Sequence, residues 1–382
     1  MGERWLLGAV GDVFLNRPDP SEALREVLPV FRAIDLLFGN CEGVFTSTPH
    51  YAPTAGFRIV AKPENAIPIV EAGFDVLSAA NNHTVDAGHD SLVEMLAMFR
   101  ASGVAVVGAG KDLEEARQGA TTTIKQSRVT FLAYSSVYQA GYEARPTAPG
   151  IAALRVHTHY YVPGDGYARV EPGCAPHIVT FPYPEDETIL VGAIEAAKSH
   201  SDTVVVSFHW GESTKPASLT DYEKRLGHLA IDAGADVVLG HHHHILRGIE
   251  LYRDKPIFYG LGHFAFDMPG AELFSAAQIR KWRQFGEYVI YPREGYPLLP
   301  FHPDTRMTMI GICEFDGRSI SRAGMVPCLI NPRNQPVPLP LDSAEGQRVT
   351  QYMQTITADA GLTTRFHRDG LLVGDVEALV AR

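Results

Sequence analysis

The chain has 382 residues, of which 45% are apolar and 20% charged, with a formal charge of −11 and a pI near 5.8. This length and composition allow a large buried core, and the acidic balance argues against a general nucleic-acid-binding surface. Because the first apolar run is too short for a signal peptide or a membrane span, we expect a cytoplasmic protein that binds neither membrane nor nucleic acid.

Apolar runs rich in β-branched and aromatic residues alternate with helical patterns along most of the chain. Predicted strands cover residues 5–10, 34–38, 75–79, 104–107, 129–134, 204–208, 237–239 and 257–259. Predicted helices cover residues 20–32, 63–72, 91–102, 188–200 and 220–233. This βαβ rhythm predicts an α/β sandwich.

Two long segments interrupt the rhythm, a tyrosine-rich one over residues 137–187 and a proline-rich and aromatic one over 265–304. Such segments in a compact domain are usually lids or binding loops, so we predict insertions that form a lid. The second contains a predicted helix whose apolar face suits a lid, a dimer contact or the core: Leu273, Phe274, Ile279, Trp282 and Phe285. We predict one domain over 1–335 and, over 336–382, a C-terminal helical appendage packed on it, with helices near 344–360 and 376–381.

Four consecutive histidines, His241 to His244, follow the apolar run 237–239 in the middle of the chain. If this run stays extended, alternate side chains share a face, so either His241 with His243 or His242 with His244 reaches one point. The alternation does not choose between these pairs. Neutral imidazole is a preferred ligand of zinc, copper, iron and nickel, which favours a metal site at a strand end over a solvated polar loop. The four cysteines have no paired spacing, so the other metal donors are expected to be oxygen atoms.

Other polar residues also follow predicted strands, namely Asp12, Glu42, Asn82, His83 and His209. Taken alone, each has an ordinary structural role, such as a helix cap, a turn former or a core histidine. In open α/β sheets, however, ligands bind beyond the carboxyl ends of the strands, so these side chains are expected to converge on one crevice. A carboxylate able to bridge, an amide oxygen and several imidazoles suit a pair of divalent ions.

Several motifs in combination resemble the CapA (poly-γ-glutamate synthesis accessory protein) family. They are GDVF at 11–14, GNCEG at 39–43, FR at 57–58, ANNHTVDAG at 80–88, HWGE at 209–212, GHHHH at 240–244, IE at 249–250 and PIFYGLGHF at 256–264. The resemblance covers most of residues 4–335. It implies the fold of calcineurin-like metallophosphoesterases, a four-layer, two-sheet sandwich flanked by helices with two metal ions at the strand ends.

The resemblance also implies roles for individual residues. It carries six metal ligands onto this chain: Asp12, Glu42, Asn82, His209, His242 and His244. The first ion is implied for Asp12 and His244, the second for the remaining amide and imidazole ligands, with Glu42 bridging both. In this family pattern His83 is a catalytic imidazole and not a ligand.

The chain departs from the family pattern at three positions. Phe14 stands where the wider superfamily usually has a histidine ligand, although CapA-like sequences commonly lack it too. Gly260 and His263 stand where serine and asparagine are usual. We interpret His263 first as a structural replacement, with an extra ligand or a substrate contact as alternatives. The candidate substrate-binding residues are Arg17, Arg58 and His263.

Because two adjacent divalent ions can activate a water molecule, we predict a hydrolase that cleaves a phosphoester or an amide, the latter including a γ-glutamyl bond. Manganese, iron and zinc are all compatible with these ligands. The expected partner is a small-molecule or polyanionic substrate, and a homo-oligomer is left open. One alternative is a non-hydrolytic accessory or binding protein of poly-γ-glutamate or capsule synthesis, and another is a specialised metal-dependent step on a small metabolite. Members in the accessory role usually carry an N-terminal membrane anchor, so the lack of one in this sequence favours the enzyme.

Overall fold

The computed structural model describes residues 3–161, 173, 175–270, 274–284, 286, 288 and 290–382. Its strands are β1 (Arg4–Phe14), β2 (Leu36–Cys41), β3 (Val44–Phe45), β4 (Val60–Ala61), β5 (Val76–Ser78), β6 (Ala105–Val107), β7 (Ala109–Gly110), β8 (Ala120–Ile124), β9 (Ser127–Ser135), β10 (Gly150–Ile151), β11 (Val156–Tyr161), β12 (His177–Pro182), β13 (Thr203–His209), β14 (Val237–His241), β15 (Ile249–Tyr252), β16 (Lys255–Phe258), β17 (His263–Phe266), β18 (Met307–Asp316), β19 (Ser319–Ile330), β20 (Pro336–Pro338), β21 (Phe366–Val373) and β22 (Val376–Ala381). Its α-helices are α1 (Leu28–Phe31), α2 (Ile67–Glu71), α3 (His89–Ala101), α4 (Leu113–Arg117), α5 (Pro184–His200), α6 (Asp221–Asp232), α7 (Ala276–Arg283) and α8 (Ala344–Asp359).

Two sheets form the centre of the molecule. The larger one has ten strands in the order β21-β22-β19-β18-β1-β2-β5-β6, with β17 beside β1 and β20 beside β19. The smaller one has six, in the order β15-β16-β14-β13-β9-β8. Strands β1, β2, β5, β6 and β17 are parallel, as are β9, β13, β14 and β16. The carboxyl ends of the parallel strands therefore lie at one end of each sheet.

The two sheets pack face to face. Phe38 of β2 stacks on Phe131 of β9, with ring centroids 5.6 Å apart, inside a buried cluster drawn from both sheets. The outer faces are covered by helices, since α3 contributes Phe99 to the cluster on the large sheet. On the small sheet, α5 and α6 contribute Leu190 and Leu226. The predicted four-layer α/β sandwich and all eight predicted strands are confirmed.

Interior prolines interrupt two of the predicted helices. Continuous helices over 20–32 and 63–72 are wrong, because each segment begins with 3₁₀ turns and becomes α-helical only at α1 and α2. Pro29 and Pro68 lie in the first turn of these two short helices. Proline lacks a backbone N–H and clashes with the preceding turn, so a helix accepts it only at its start. The other three predicted helices are confirmed as α3, α5 and α6.

The C-terminal segment is part helix and part sheet. The helix expected near 344–360 is present as α8, which buries Val349 and Met353 in the cluster between the sheets. The final helix expected near 376–381 is wrong, because β21 and β22 form a hairpin that pairs with β19. Gly374, with φ +61°, permits the two-residue turn of this hairpin. The segment extends the main sheet and is not a purely helical appendage.

The two insertions differ in where they lie. Among the described residues, the first contains the two-stranded ribbon β11-β12 and reaches the candidate site described below only through Gln139, whereas the second contains α7 and contributes several residues to that site. Leu273 and Phe285 of the predicted apolar face lie outside the described residues, as does Cys174. The three described cysteines are free and buried. In the part of the chain that the structure describes, no helix has the length and apolar character needed to span a membrane.

Candidate metal centre

Asp12 is buried near the end of β1, where neighbouring strands position it from two sides. It lies opposite Asn40 of β2 and His263 of β17. Asn40 Nδ2 donates to Asp12 Oδ1 at 2.8 Å, while Asp12 Oδ2 lies 3.1 Å from His244 Nδ1 and 3.7 Å from His263 Nδ1. The rings of His244 and His263 stack with centroids 4.4 Å apart. Asp12, His244 and His263 thus offer ligand atoms within 4.8 Å of one another.

Glu42 belongs to a second, adjacent group of donors. Glu42, His209 and His242 offer ligand atoms that also lie within 4.8 Å of one another. His209 Nε2 is 3.7 Å from Glu42 Oε1 and 2.7 Å from Asn82 Oδ1. His244 Nε2 of the first group lies 3.8 Å from the same Glu42 oxygen. Glu42 therefore lies between the two groups.

The histidine run leaves the strand and does not stay extended. β14 ends at His241, and His242 and His244 have φ values of 97° and 59°. Residues with side chains rarely adopt this left-handed backbone, and such strain concentrates at functional sites. The turn, and not strand alternation, directs His242 and His244 into adjacent donor groups, with their ring centroids 5.9 Å apart.

His243 points into the protein toward α6. Its Nε2 lies 2.8 Å from Glu223 Oε1, and Glu223 also accepts from Thr220 in the capping box of α6. Burial, together with the charge of Arg247, lowers the pKa of His243. Burial alone would raise the pKa of Glu223, but His243 and Thr220 bring it below its usual value. A neutral His243 thus donates to an ionised Glu223 and anchors the strained turn to the helix.

The catalytic candidate His83 follows β5 and is 8% exposed. Its Nδ1 lies 2.8 Å from Asp86 Oδ2, and buried Asp86 also accepts hydrogen bonds from Tyr142 Oη at 2.7 Å and the Ile59 N–H at 2.8 Å. Burial and then Asp86 raise the pKa of Tyr142, so its hydroxyl stays a donor. With the carboxylate acting as acceptor, His83 Nδ1 donates to it and Nε2 is left for a substrate.

Two buried asparagines connect the metal centre to the His83 loop. Asn81 Nδ2 donates to Asn40 Oδ1 at 3.2 Å and to the Cys41 carbonyl at 2.8 Å. Asn81 Oδ1 in turn accepts from the His83 N–H at 3.1 Å and from Thr84 Oγ1 at 2.8 Å. Hydrogen-bond partners of this kind orient metal ligands, and their loss typically weakens metal binding or activity.

The unsatisfied atoms of the centre fit divalent cations. Both Glu42 oxygens, both His263 ring nitrogens and Nδ1 of His209 and His242 are buried and have no hydrogen-bond partner among the described residues. Burial, followed by the charge of Asp12, raises the pKa of Glu42, and a cation bound beside this carboxylate would lower it. Imidazole and carboxylate donors together are compatible with manganese, iron and zinc.

Burial favours the neutral, metal-binding form of three histidines in the two donor groups. Burial, then a neighbouring histidine, lowers the pKa values of His209, His242 and His263 well below 6.5. Burial lowers the pKa of His241 to about 4. Burial would raise the pKa of Asp12, but the hydrogen bond and charge of His244 lower it instead. Neutral imidazoles and an ionised aspartate are the ligand forms that a metal requires.

We therefore expect the metal-free protein to lose stability as the pH falls below about 6.5. A histidine with a lowered folded pKa takes up its proton mainly in the unfolded chain, which reduces the free energy of unfolding by up to about 1.4 kcal/mol per pH unit for each such group. His209, His241, His242 and His263 act in this direction, while the raised pKa of Glu42 opposes it. Urea denaturation of chelator-treated protein between pH 7.5 and 5.5 measures the effect. A midpoint that stays constant over this range would contradict it.

The two candidate substrate arginines do not reach the centre. Arg17 donates from Nε to buried Asp267 at 2.7 Å and from Nη2 to the Asn334 carbonyl at 3.0 Å. Exposed Arg58 lies over the ring of Tyr51, 4.2 Å from its centroid. Neither is among the described residues that line the cavity at the centre, which has a volume of about 350 Å³ and is lined in part by Asn82, His83 and His244.

The model of the bacterial capsule synthesis protein family PGA_cap matches residues 6–268. The chain belongs to this family. The PGA_cap family is metallophosphoesterase-like, in agreement with the two-sheet fold and the donor residues.

Relatives of the PGA_cap chain include two CapA proteins. The PGA biosynthesis protein CapA of Bacillus subtilis (strain 168) is 28% identical over 268 residues, which cover 68% of this chain and 62% of the relative. The capsule biosynthesis protein CapA of Bacillus anthracis is 27% identical over 282 residues, covering 69% and 60%. The chain thus spans about three fifths of the length of these curated relatives. The crystal structure of a hypothetical protein from Thermus thermophilus aligns with a TM-score of 0.44 and 15% identity, covering 84% of this chain and 98% of that one.

Within this PGA_cap fold, the six predicted ligands come together, and a seventh donor joins them. Phe14 packs on Phe45 in the core, with centroids 5.0 Å apart, so β1 contributes no imidazole at that position. The first group takes its third donor from β17, as His263. Asp86 and Tyr142 were not assigned roles from the sequence, although the spacing of three between His83 and Asp86 was a local signal for that pair.

Proposed function

We propose that the protein is a dinuclear metal-dependent hydrolase that cleaves a phosphoester bond in a small anionic substrate. The observation that carries this proposal is the position of Glu42 between two groups of buried and half-buried donors, beside a cavity lined in part by His83. The proposed ligands of one ion are Asp12, His244 and His263, those of the other are Asn82, His209 and His242, and Glu42 serves both.

Divalent ions bound there supply Lewis acidity and an activated water for attack on phosphorus. As the bond from phosphorus to the leaving oxygen breaks, His83 donates a proton from Nε2 to that oxygen. The buried carboxylate of Asp86 holds the Nδ1 proton and stabilises the charged ring before transfer. Asn40 and Asn81 hold Asp12 and the loop that carries His83 in position during the reaction.

This proposal is tested against an amide substrate and against a non-hydrolytic role. Chelator-treated protein is reloaded with manganese, ferrous iron or zinc, bound metal is counted by elemental analysis, and a panel of alkyl phosphoesters, aryl phosphoesters and γ-glutamyl amides is assayed. We expect two bound equivalents, together with phosphoester turnover that chelation removes and metal restores. Turnover of γ-glutamyl amides alone would show that the cleaved bond is an amide and not a phosphoester. Two bound equivalents without any turnover would favour an accessory role in capsule polymer synthesis.

A further inference from the structure

The cavity beside the metal centre combines a polar part with a larger apolar part. Its volume of about 350 Å³ is at the lower end of the range for small-molecule sites. The polar part includes Asn82, His83 and His244, which connect it directly to the proposed chemistry. The apolar part is formed by Phe57, Phe266, Met268, Trp282, Ile290 and Phe301.

Aromatic rings of the apolar part come from separate regions of the chain. Phe57 and Trp282 of α7 pack with centroids 5.3 Å apart. Phe301 and Phe266 pack beside His244, with centroids 5.4 and 5.8 Å from that ring. Phe57 nevertheless keeps 36% of its surface exposed. Exposed aromatic side chains at the mouth of a pocket are suited to cover a planar apolar group of a ligand.

The charge of the cavity argues against a polyanionic occupant. Among the described residues that line it, none is a lysine, arginine, aspartate or glutamate. Arg17 and Arg58 are engaged with Asp267 and Tyr51. A polyglutamate chain carries a carboxylate on every residue, and most of these would be desolvated here without a cation. A phosphoester has a single anionic group, which the metal centre accommodates.

A polar side chain in the wall carries an acceptor without a partner in the described part of the chain. Gln139 lines the cavity, and its Oε1 is buried without a hydrogen-bond partner among the described residues. Leaving such an acceptor unsatisfied is costly, so a ligand that brings an N–H or O–H to this position gains affinity. An aromatic ring that carries such a donor matches both the apolar walls and Gln139.

We infer that the substrate is a small aryl or heteroaryl phosphoester whose ring occupies the aromatic part of this cavity. The inference rests on the proposed hydrolase function and names the substrate class of the same site. His83 lines the cavity together with the aromatic residues and protonates the leaving oxygen. The ring therefore belongs to the leaving group.

Binding of phenylphosphonate and methylphosphonate to the metal-loaded protein, measured by calorimetry, tests the inference without requiring turnover, because their phosphorus–carbon bond resists hydrolysis. We expect phenylphosphonate to bind about 10 to 100-fold more tightly, since only its ring buries apolar surface in the cavity. The Phe57→Ala and Trp282→Ala variants should each reduce this ratio by about threefold or more. Phe181→Ala is the matched control, because Phe181 is also 36% exposed but lies on β12 and does not line the cavity.

Equal affinity for the two phosphonates would overturn the inference, and so would a preference that survives in both Phe57→Ala and Trp282→Ala. Tighter binding of a γ-linked glutamate tetramer than of phenylphosphonate would overturn it as well. A ring preference that depends on Phe57 and Trp282, without turnover of any phosphoester, would support the aromatic binding site but overturn the assignment of its ligand as a substrate. That last combination would reject the hydrolase and leave an aryl-anion binding site, so the two failures are distinguishable.

Discussion

The His242→Ala variant is expected to bind metal more than about 100-fold more weakly than the wild type and to lose activity in parallel. Loss of groups that merely orient metal ligands typically costs 10 to 100-fold in affinity, and loss of a ligand should cost more. His242 is half-buried in the group that includes Glu42 and His209, and its Nδ1 is buried without a hydrogen-bond partner among the described residues. Elemental analysis after equilibration with metal, paired with a turnover assay, measures both effects.

His241→Ala is the matched control, because it removes a neighbouring buried imidazole. His241 Nδ1 lies 3.9 Å from Asp12 Oδ1, and His241 belongs to neither donor group. We expect this variant to keep most of its metal. Equal loss of metal in the two variants would show that the division of the histidine run into ligands and non-ligands is wrong.

Replacing His83 with glutamine should lower kcat by about 10² to 10⁴-fold while the amount of bound metal stays the same. The reason is that His83 belongs to neither donor group, yet it lines the cavity with Nδ1 held by Asp86. Glutamine keeps some hydrogen-bonding ability but cannot transfer a proton. Steady-state kinetics on the best phosphoester, together with elemental analysis of the same preparation, separate the two properties.

The control for His83 is Tyr142→Phe, which removes one donor to Asp86 and leaves the hydrogen bond between His83 and Asp86 in place. A single hydrogen bond of this kind is worth about 1 kcal/mol, so turnover should fall by no more than about tenfold. If His83→Gln lost metal together with activity, His83 would have to be reassigned as a ligand. Full turnover in that variant would remove it from the mechanism.

Local patterns were sufficient for the layers of the fold. The continuous apolar runs at 129–134, 204–208 and 237–239 became β9, β13 and β14, which are buried on both faces as such runs predict. The errors lie where a short segment supports two conformations. Residues 376–381 form a strand because β19 and β21 supply partners and bury Val380, and six residues cannot reveal those partners.

Most donor residues were also predictable from local patterns. Asp12 lies near the end of β1, while Glu42, His209 and the histidine run lie at or just after the end of a strand, which is where ligands bind in parallel sheets. His263 stands where asparagine is usual in the family pattern, and it was interpreted from the sequence as a structural replacement. Only the parallel pairing of β17 with β1 places it opposite Asp12.

By itself, the sequence determined the residue types of the centre and the end of the sheet at which they lie. Apolar runs and the polar residues that follow them are local properties of the chain. The tertiary structure decided which atoms meet. The positive φ values of His242 and His244, the register of β17 against β1 and the packing of Phe57 on Trp282 depend on contacts between distant segments. Such contacts are set by sheet register and side-chain packing, which the periodicity of a single segment does not encode.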